Sequence, residues 1–132
     1  MNVRILILED DLETLTKLLG GLTLFEDQLN QKISVTVLSE YWQVEEHLNK
    51  SSKEKFAFIL LDRDCKIGGS FHILDLEKFK NSTIIGISSV PRYNQELREK
   101  GINLIVDKDY NNLADFASKV IDLIKHNLGN YA

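Results

Sequence analysis

The stretch from Phe56 to Leu61 reads FAFILL, six apolar residues with no polar interruption. A strand with one wet face alternates apolar and polar side chains. A strand that does not alternate must be covered on both faces, as at the centre of a parallel sheet. That requirement leaves few architectures for a chain of 132 residues. Helices must lie above and below the strand, and neighbouring strands must flank it.

The rest of the chain supplies those elements in alternation. VRILIL, from Val3 to Leu8, is a second buried-strand run. ISVTVL, from Ile33 to Leu38, is β-branched and predicts a strand. TIIGI, from Thr83 to Ile87, and NLIV, from Asn103 to Val106, complete five. Between them apolar residues recur at helical spacing. Leu12, Leu15, Leu18, Leu19 and Leu22 mark one helix, which Gly20-Gly21 should weaken or end. Ser39 is placed to cap a helix carrying Trp42, Val44 and Leu48. Phe71, Ile73, Leu74, Leu76 and Phe79 suggest a short one. Pro91 suits the first turn of a helix that reaches Lys100 and stops at Gly101. Leu113, Phe116, Val120, Ile121 and Ile124 define the last, starting near Asn111 or Asn112. Five strands alternating with five helices predict a doubly wound parallel sheet in one domain.

Composition removes several classes of function. Sixteen basic against 20 acidic residues give a net charge of −4, and the basic residues form no dense cluster. Direct nucleic-acid binding is therefore not expected. No apolar run is long enough to span a bilayer. The N-terminal apolar run is short and meets Glu9-Asp10-Asp11 at once, unlike a signal peptide. A cytoplasmic protein is expected, with no disulfide framework, since Cys65 is the single cysteine.

In open α/β sheets the functional crevice lies at the carboxyl ends of the strands. The first strand ends in Glu9-Asp10-Asp11, the third in Asp62 with Asp64 two residues on, the fourth in Ser88-Ser89, and the fifth near Lys108. Acids gathered at one edge repel unless a cation or a proton intervenes. Carboxylate oxygens with backbone oxygen and water suit Mg²⁺. A lysine and a hydroxyl beside them suit the oxygens of a transferred phosphoryl group.

In their order and spacing, RILILEDD, FILLDRD, IIGISS and GINLIVDKD resemble the receiver domain of two-component response regulators, the CheY-like family. The resemblance covers essentially the whole chain. It implies a flavodoxin-like (βα)5 fold with strand order 2-1-3-4-5. It implies Asp62 as the acceptor of a phosphoryl group from a histidine kinase or phosphotransfer protein. Asp10 and Asp62 would ligate Mg²⁺ directly, the Asp64 backbone carbonyl would be a third ligand, and Glu9 would assist through water. Ser88 would bind a phosphoryl oxygen and Lys108 would pair with Asp62. A slipped register, with Asp10 and Asp11 as the acids, stays open; Glu9 and Asp10 are favoured because Asp11 stands where the next helix needs an N-cap. Output would pass through contact with a downstream protein, since no output domain is expected in this chain, and homodimerisation stays open.

The chain also departs from the family pattern. The loop after Asp62 reads RDCKIGG, Asp109 follows Lys108, and Ile105 occupies the position where receivers carry a switching aromatic. These departures motivate a second reading, a degenerate receiver that keeps the fold as an interaction module. A third reading takes LLDRDC as the Asp-x-Asp motif of haloacid-dehalogenase-type phosphatases, with Asp64 as general acid/base. Other signals have plain readings. His47, His72 and His126 show no metal-ligand spacing. Trp42 reads as packing, Cys65 as a loop thiol, and Lys66-Ile67-Gly68-Gly69 as a flexible loop.

Overall fold

The computed structural model describes residues 2–50, 55–63, 71 and 74–131. Phe58–Leu61 forms β3, and all four of its side chains are buried. It is the middle strand of five, in the order β2-β1-β3-β4-β5. The others are β1 (Asn2–Leu8), β2 (Lys32–Leu38), β4 (Thr83–Gly86) and β5 (Leu104–Ile105). Every pairing is parallel; β1 runs beside β3 from Ile5↔Phe58 to Leu8↔Leu61.

The two-residue period of the strands sorts the core into two layers. Ile5, Ile7, Phe58, Leu60 and Ile85 face α1 (Leu12–Gln28) and α4 (Leu113–Asn127), meeting Leu18, Leu22, Phe116 and Val120. Leu6, Leu8, Ile59 and Leu61 face the other way. There they meet Val44 and Leu48 of α2 (Tyr41–Val44) and its π-helical continuation (Glu45–Asn49), and Leu97 of α3 (Pro91–Glu99). A 3-10 turn, Leu128–Tyr131, follows α4. Among the described residues, no helix is long and apolar enough to cross a membrane.

Three local expectations need correction. The helix α1 runs straight through Gly20-Gly21. A Cβ on Gly21 would lie 2.8 Å from Cγ1 of Ile121, so the glycine lets α1 and α4 approach, and that packing offsets its poor helix propensity. The N-cap of α2 is Glu40, not Ser39, because the Gln43 side chain accepts from the backbone N–H of both Ser39 and Glu40. The expected helix around Leu74–Phe79 is a series of turns in its described part. Asp75 Oδ1 accepts from Lys78 N, and a single i→i+4 bond, Phe79 N to Asp75 O at 3.3 Å, stands among i→i+3 bonds from Lys80 N to Glu77 O and from Ser82 N to Phe79 O. Its apolar residues Leu74 and Phe79 are buried nonetheless. Ile73 and His72 lie outside the described residues. The stop of α3 is as expected: Gly101 has φ +91° and Ile102 N donates back to Leu97 O.

Candidate functional site

The backbone ladder continues past the strand ends and fixes what stands there. Glu9 N donates to Leu38 O, Asp62 N to Leu8 O, Ile87 N to Leu61 O, and Lys108 N to Ser88 O. Four polar side chains are thereby held at one edge of the sheet, and Glu9, Asp62, Ser88 and Lys108 are all buried there. Lys108 Nζ donates to Asp62 Oδ2 at 2.8 Å and forms an ion pair with Glu9 Oε1. Glu9 Oε2 accepts from the backbone N–H of Asp10 (3.0 Å) and Asp11 (3.1 Å). The exposed Tyr110 flanks the lysine, its ring centroid 5.4 Å from Nζ.

Buried charges are costly unless paired. Here two carboxylates share one ammonium. Burial pushes the Glu9 carboxyl up from 4.5 to about 8, and the charge of Asp62 adds to the rise while Lys108 opposes it. Burial alone would lower the Lys108 value, but attraction to Asp62 and then Glu9 outweighs it and raises the value. Lys108 is therefore held as a cation, and with both carboxylates ionised the site carries one negative charge in excess.

The structure brings Glu9, Asp62 and Lys108 into direct contact and sets Ser88 alongside through its carbonyl. The Ser88 hydroxyl accepts from Val90 N at 3.1 Å. Asp10 stands half-buried next to Glu9. Asp11 is the N-cap of α1, accepting from Thr14 N at 2.9 Å and Thr14 Oγ1 at 2.6 Å. Asp64, Cys65 and Gly68-Gly69 lie outside the described residues. Ile105 is partly buried, with Cδ1 2.7 Å from where a Cβ on Gly86 would lie.

Among the described residues, no three His, Cys, Asp or Glu side chains are arranged around a common metal position. The donor chemistry nonetheless fits a hard divalent cation. Glu9 and Asp62 offer carboxylate oxygens, and a buried excess of negative charge takes up either a proton or a cation.

Two contributors were missed by sequence reasoning. Asn94 of α3 is fully buried and bonds to the backbone of Ser88 and to Asp107. Its one trace in the sequence is its place three residues before Leu97, the other buried residue of α3. Arg63, next to the central acid, pairs with Glu96 and lies 4.5 Å from the Tyr93 ring centroid, which ties the end of β3 to α3. No sequence pattern marks that pairing.

No family model and no curated protein matches the chain. Solved structures do match. The phosphorylated cyanobacterial phytochrome response regulator RcpA is similar with a TM-score of 0.73 and 12% identity, over 98% of this chain and 96% of its own. The Mn²⁺-bound form of response regulator Rcp1 gives a TM-score of 0.71 and 16% identity, over 93% and 91%. The Thermotoga maritima OmpR/PhoB homolog DrrB gives 0.67 and 19%, covering 99% of this chain but 54% of that one. The chain therefore has the flavodoxin-like fold of receiver domains.

Proposed function

We propose that this chain is a receiver that takes a phosphoryl group onto Asp62 from the phosphohistidine of a histidine kinase or phosphotransfer protein. The observation that carries the reading is the buried Lys108–Asp62 contact of 2.8 Å. It stands at the carboxyl ends of β3 and β5 with Glu9 beside it. An Asp62 carboxylate oxygen forms the new P–O bond as the phosphohistidine P–N bond breaks, and the imidazole leaves with the bonding pair. Lys108 holds the carboxylate in place beforehand and meets the added phosphoryl oxygens afterwards. In this reading Ser88 donates its hydroxyl to one of those oxygens. Glu9, Asp10, Asp62 and the Asp64 carbonyl would hold Mg²⁺, which supplies charge neutralisation of the phosphoryl oxygens. The phosphorylated state of RcpA and the Mn²⁺-bound state of Rcp1, on the same fold, support both parts of the proposal. Output passes by protein contact to a downstream partner.

The test is incubation with Mg²⁺ and acetyl phosphate or phosphoramidate. A phosphate mass increment is expected in the wild type and not in Asp62→Asn. No increment in the wild type overturns the reading. Turnover of a phosphate ester dependent on Asp64 would support a phosphatase instead.

A second reading, an interaction module without the phosphoryl switch, has one observation in its favour. Ile105, where receivers carry a switching aromatic, is an aliphatic side chain held partly buried, its Cδ1 2.7 Å from where a Cβ on Gly86 would lie. In that case beryllofluoride with Mg²⁺ leaves the amide spectrum around Asp62 unchanged; shifts there exclude it.

A further inference from the structure

We propose that Asn94 is a positioning residue for this site, holding from α3 the two turns that carry Ser88 and Lys108. The inference rests on the receiver reading for its chemistry but on geometry for its placement. Asn94 Oδ1 accepts from Ser88 N at 3.3 Å, and Nδ2 donates to Ser88 O at 3.0 Å. The same Nδ2 donates to Asp107 Oδ1 at 2.7 Å. Ser88 O also accepts from Lys108 N at 3.1 Å. One buried amide thus meets both polar groups of the Ser88 backbone and the residue preceding Lys108.

The chemistry demands an amide here. A donor and an acceptor must leave one side chain in nearly the same direction. Leu offers neither group and would leave the buried Ser88 N–H without its acceptor. Asp keeps that acceptor but offers no donor, so Ser88 O would keep Lys108 N alone and the carboxylate would face Asp107 Oδ1. Space is provided by Gly86: a Cβ there would lie 3.4 Å from Asn94 Oδ1 and 2.7 Å from Leu97 Cδ1. Because Ser88 and Lys108 both contact the phosphoryl oxygens in the proposed transfer, their separation controls the rate. Small misplacements of such groups are expensive.

The experiment compares wild type with Asn94→Ala, Asp107→Ala and the exchanged pair Asn94→Asp with Asp107→Asn. Asp107 is exposed, so Asp107→Ala removes one bond without opening the core. In the exchanged pair the carboxylate now on α3 accepts from Ser88 N and from the amide now at position 107, recovering two of the three bonds. Two quantities are read: hydrogen exchange of the Ser88 and Lys108 amides against Leu60, and the rate of phosphorylation by phosphoramidate.

Asn94→Ala is expected to speed exchange at Ser88 and Lys108 by roughly tenfold with Leu60 unchanged, and to slow phosphorylation by roughly tenfold. Asp107→Ala should give a smaller change of the same sign, and the exchanged pair should fall between it and Asn94→Ala, since Ser88 N keeps its acceptor while Ser88 O loses one donor. The proposal is overturned if the two amides stay protected, or if they loosen and the phosphorylation rate does not move. Should Asn94→Ala fail to fold, Asp107→Ala and the exchanged pair decide by the same criteria. A wild type that takes up no phosphate removes the receiver reading instead. The exchange data then decide alone whether Asn94 holds the two turns.

Discussion

The two faces of the sheet are built differently. Under α1 and α4 the core is formed by two long helices, with Phe116, Val120 and Ile124 seated on Ile5, Ile7 and Phe58. The buried Thr14 on α1 belongs to the cap, its hydroxyl donated to Asp11. The opposite face is covered by a short helix that widens into a π-turn, by turns, and by α3. On that side Asn94 is buried, and Arg63 crosses from the end of β3 to Glu96 and Tyr93. One face is a scaffold held by apolar packing. The other carries polar connections from the site toward an outer helix, and polar bonds change with charge where packing does not. Mutations on the two sides should therefore separate stability from chemistry.

The largest separation comes from pairing Phe116→Ala with Lys108→Ala. Phe116 is 1% exposed, and truncating it should lower stability by about 3–5 kcal/mol. Lys108→Ala leaves Glu9 and Asp62 buried without their cation and should cost about 3–5 kcal/mol as well. Urea denaturation would rank them alike. Phosphorylation under conditions where both are folded should not: Phe116→Ala keeps the wild-type rate and Lys108→Ala loses it. Equal loss of rate in both would remove the division between scaffold and site.

A smaller effect concerns Glu9. Its carboxyl is pushed up from 4.5 to about 8 by burial and by Asp62. Between those values the folded state keeps a proton that the unfolded chain has released. Stability therefore falls as pH rises through this window, and the loss is complete above the folded value. Lys108 stays protonated throughout, its own value being raised. In EDTA, urea midpoints should drop from about pH 5 to about pH 8.5, and Glu9→Gln should flatten the difference. Mg²⁺ should flatten it too, by favouring the ionised carboxylate. The same slope in wild type and Glu9→Gln would show that Glu9 does not hold the proton.

The elements most legible in the sequence were those fixed by period. FAFILL had no wet face and became the middle strand; the acids at the strand ends followed from where those strands had to stop. Less legible were features decided by a partner distant in sequence. Gly20-Gly21 read as a weak point or an end, because propensity is local and the Ile121 side chain that needs the space lies a hundred residues away. Leu74 to Phe79 had helical spacing and proved to be turns: apolar residues only need to reach the core, and beside one i→i+4 bond at Asp75 its side chain takes the backbone N–H of Lys78. Asn94 escaped notice because an amide in a helix says nothing of the Ser88 backbone it will meet.

The glycine pair gives the finest test of the scaffold face. The two residues are adjacent on α1 but face different surroundings. A Cβ on Gly21 would lie 2.8 Å from Cγ1 of Ile121 and 3.4 Å from its Cδ1. Gly21→Ala should gain helix propensity yet force α1 away from α4, for a net loss of about 1–2 kcal/mol. Gly20 has nothing within 4 Å of such an atom. Gly20→Ala should therefore stabilise the protein by about 0.5–1 kcal/mol, through propensity and the reduced freedom of the unfolded chain. Thermal melts of the two single variants should move in opposite directions. Matching shifts of either sign would mean that α1 and α4 do not meet at Gly21, and that the apolar face is looser than its packing implies.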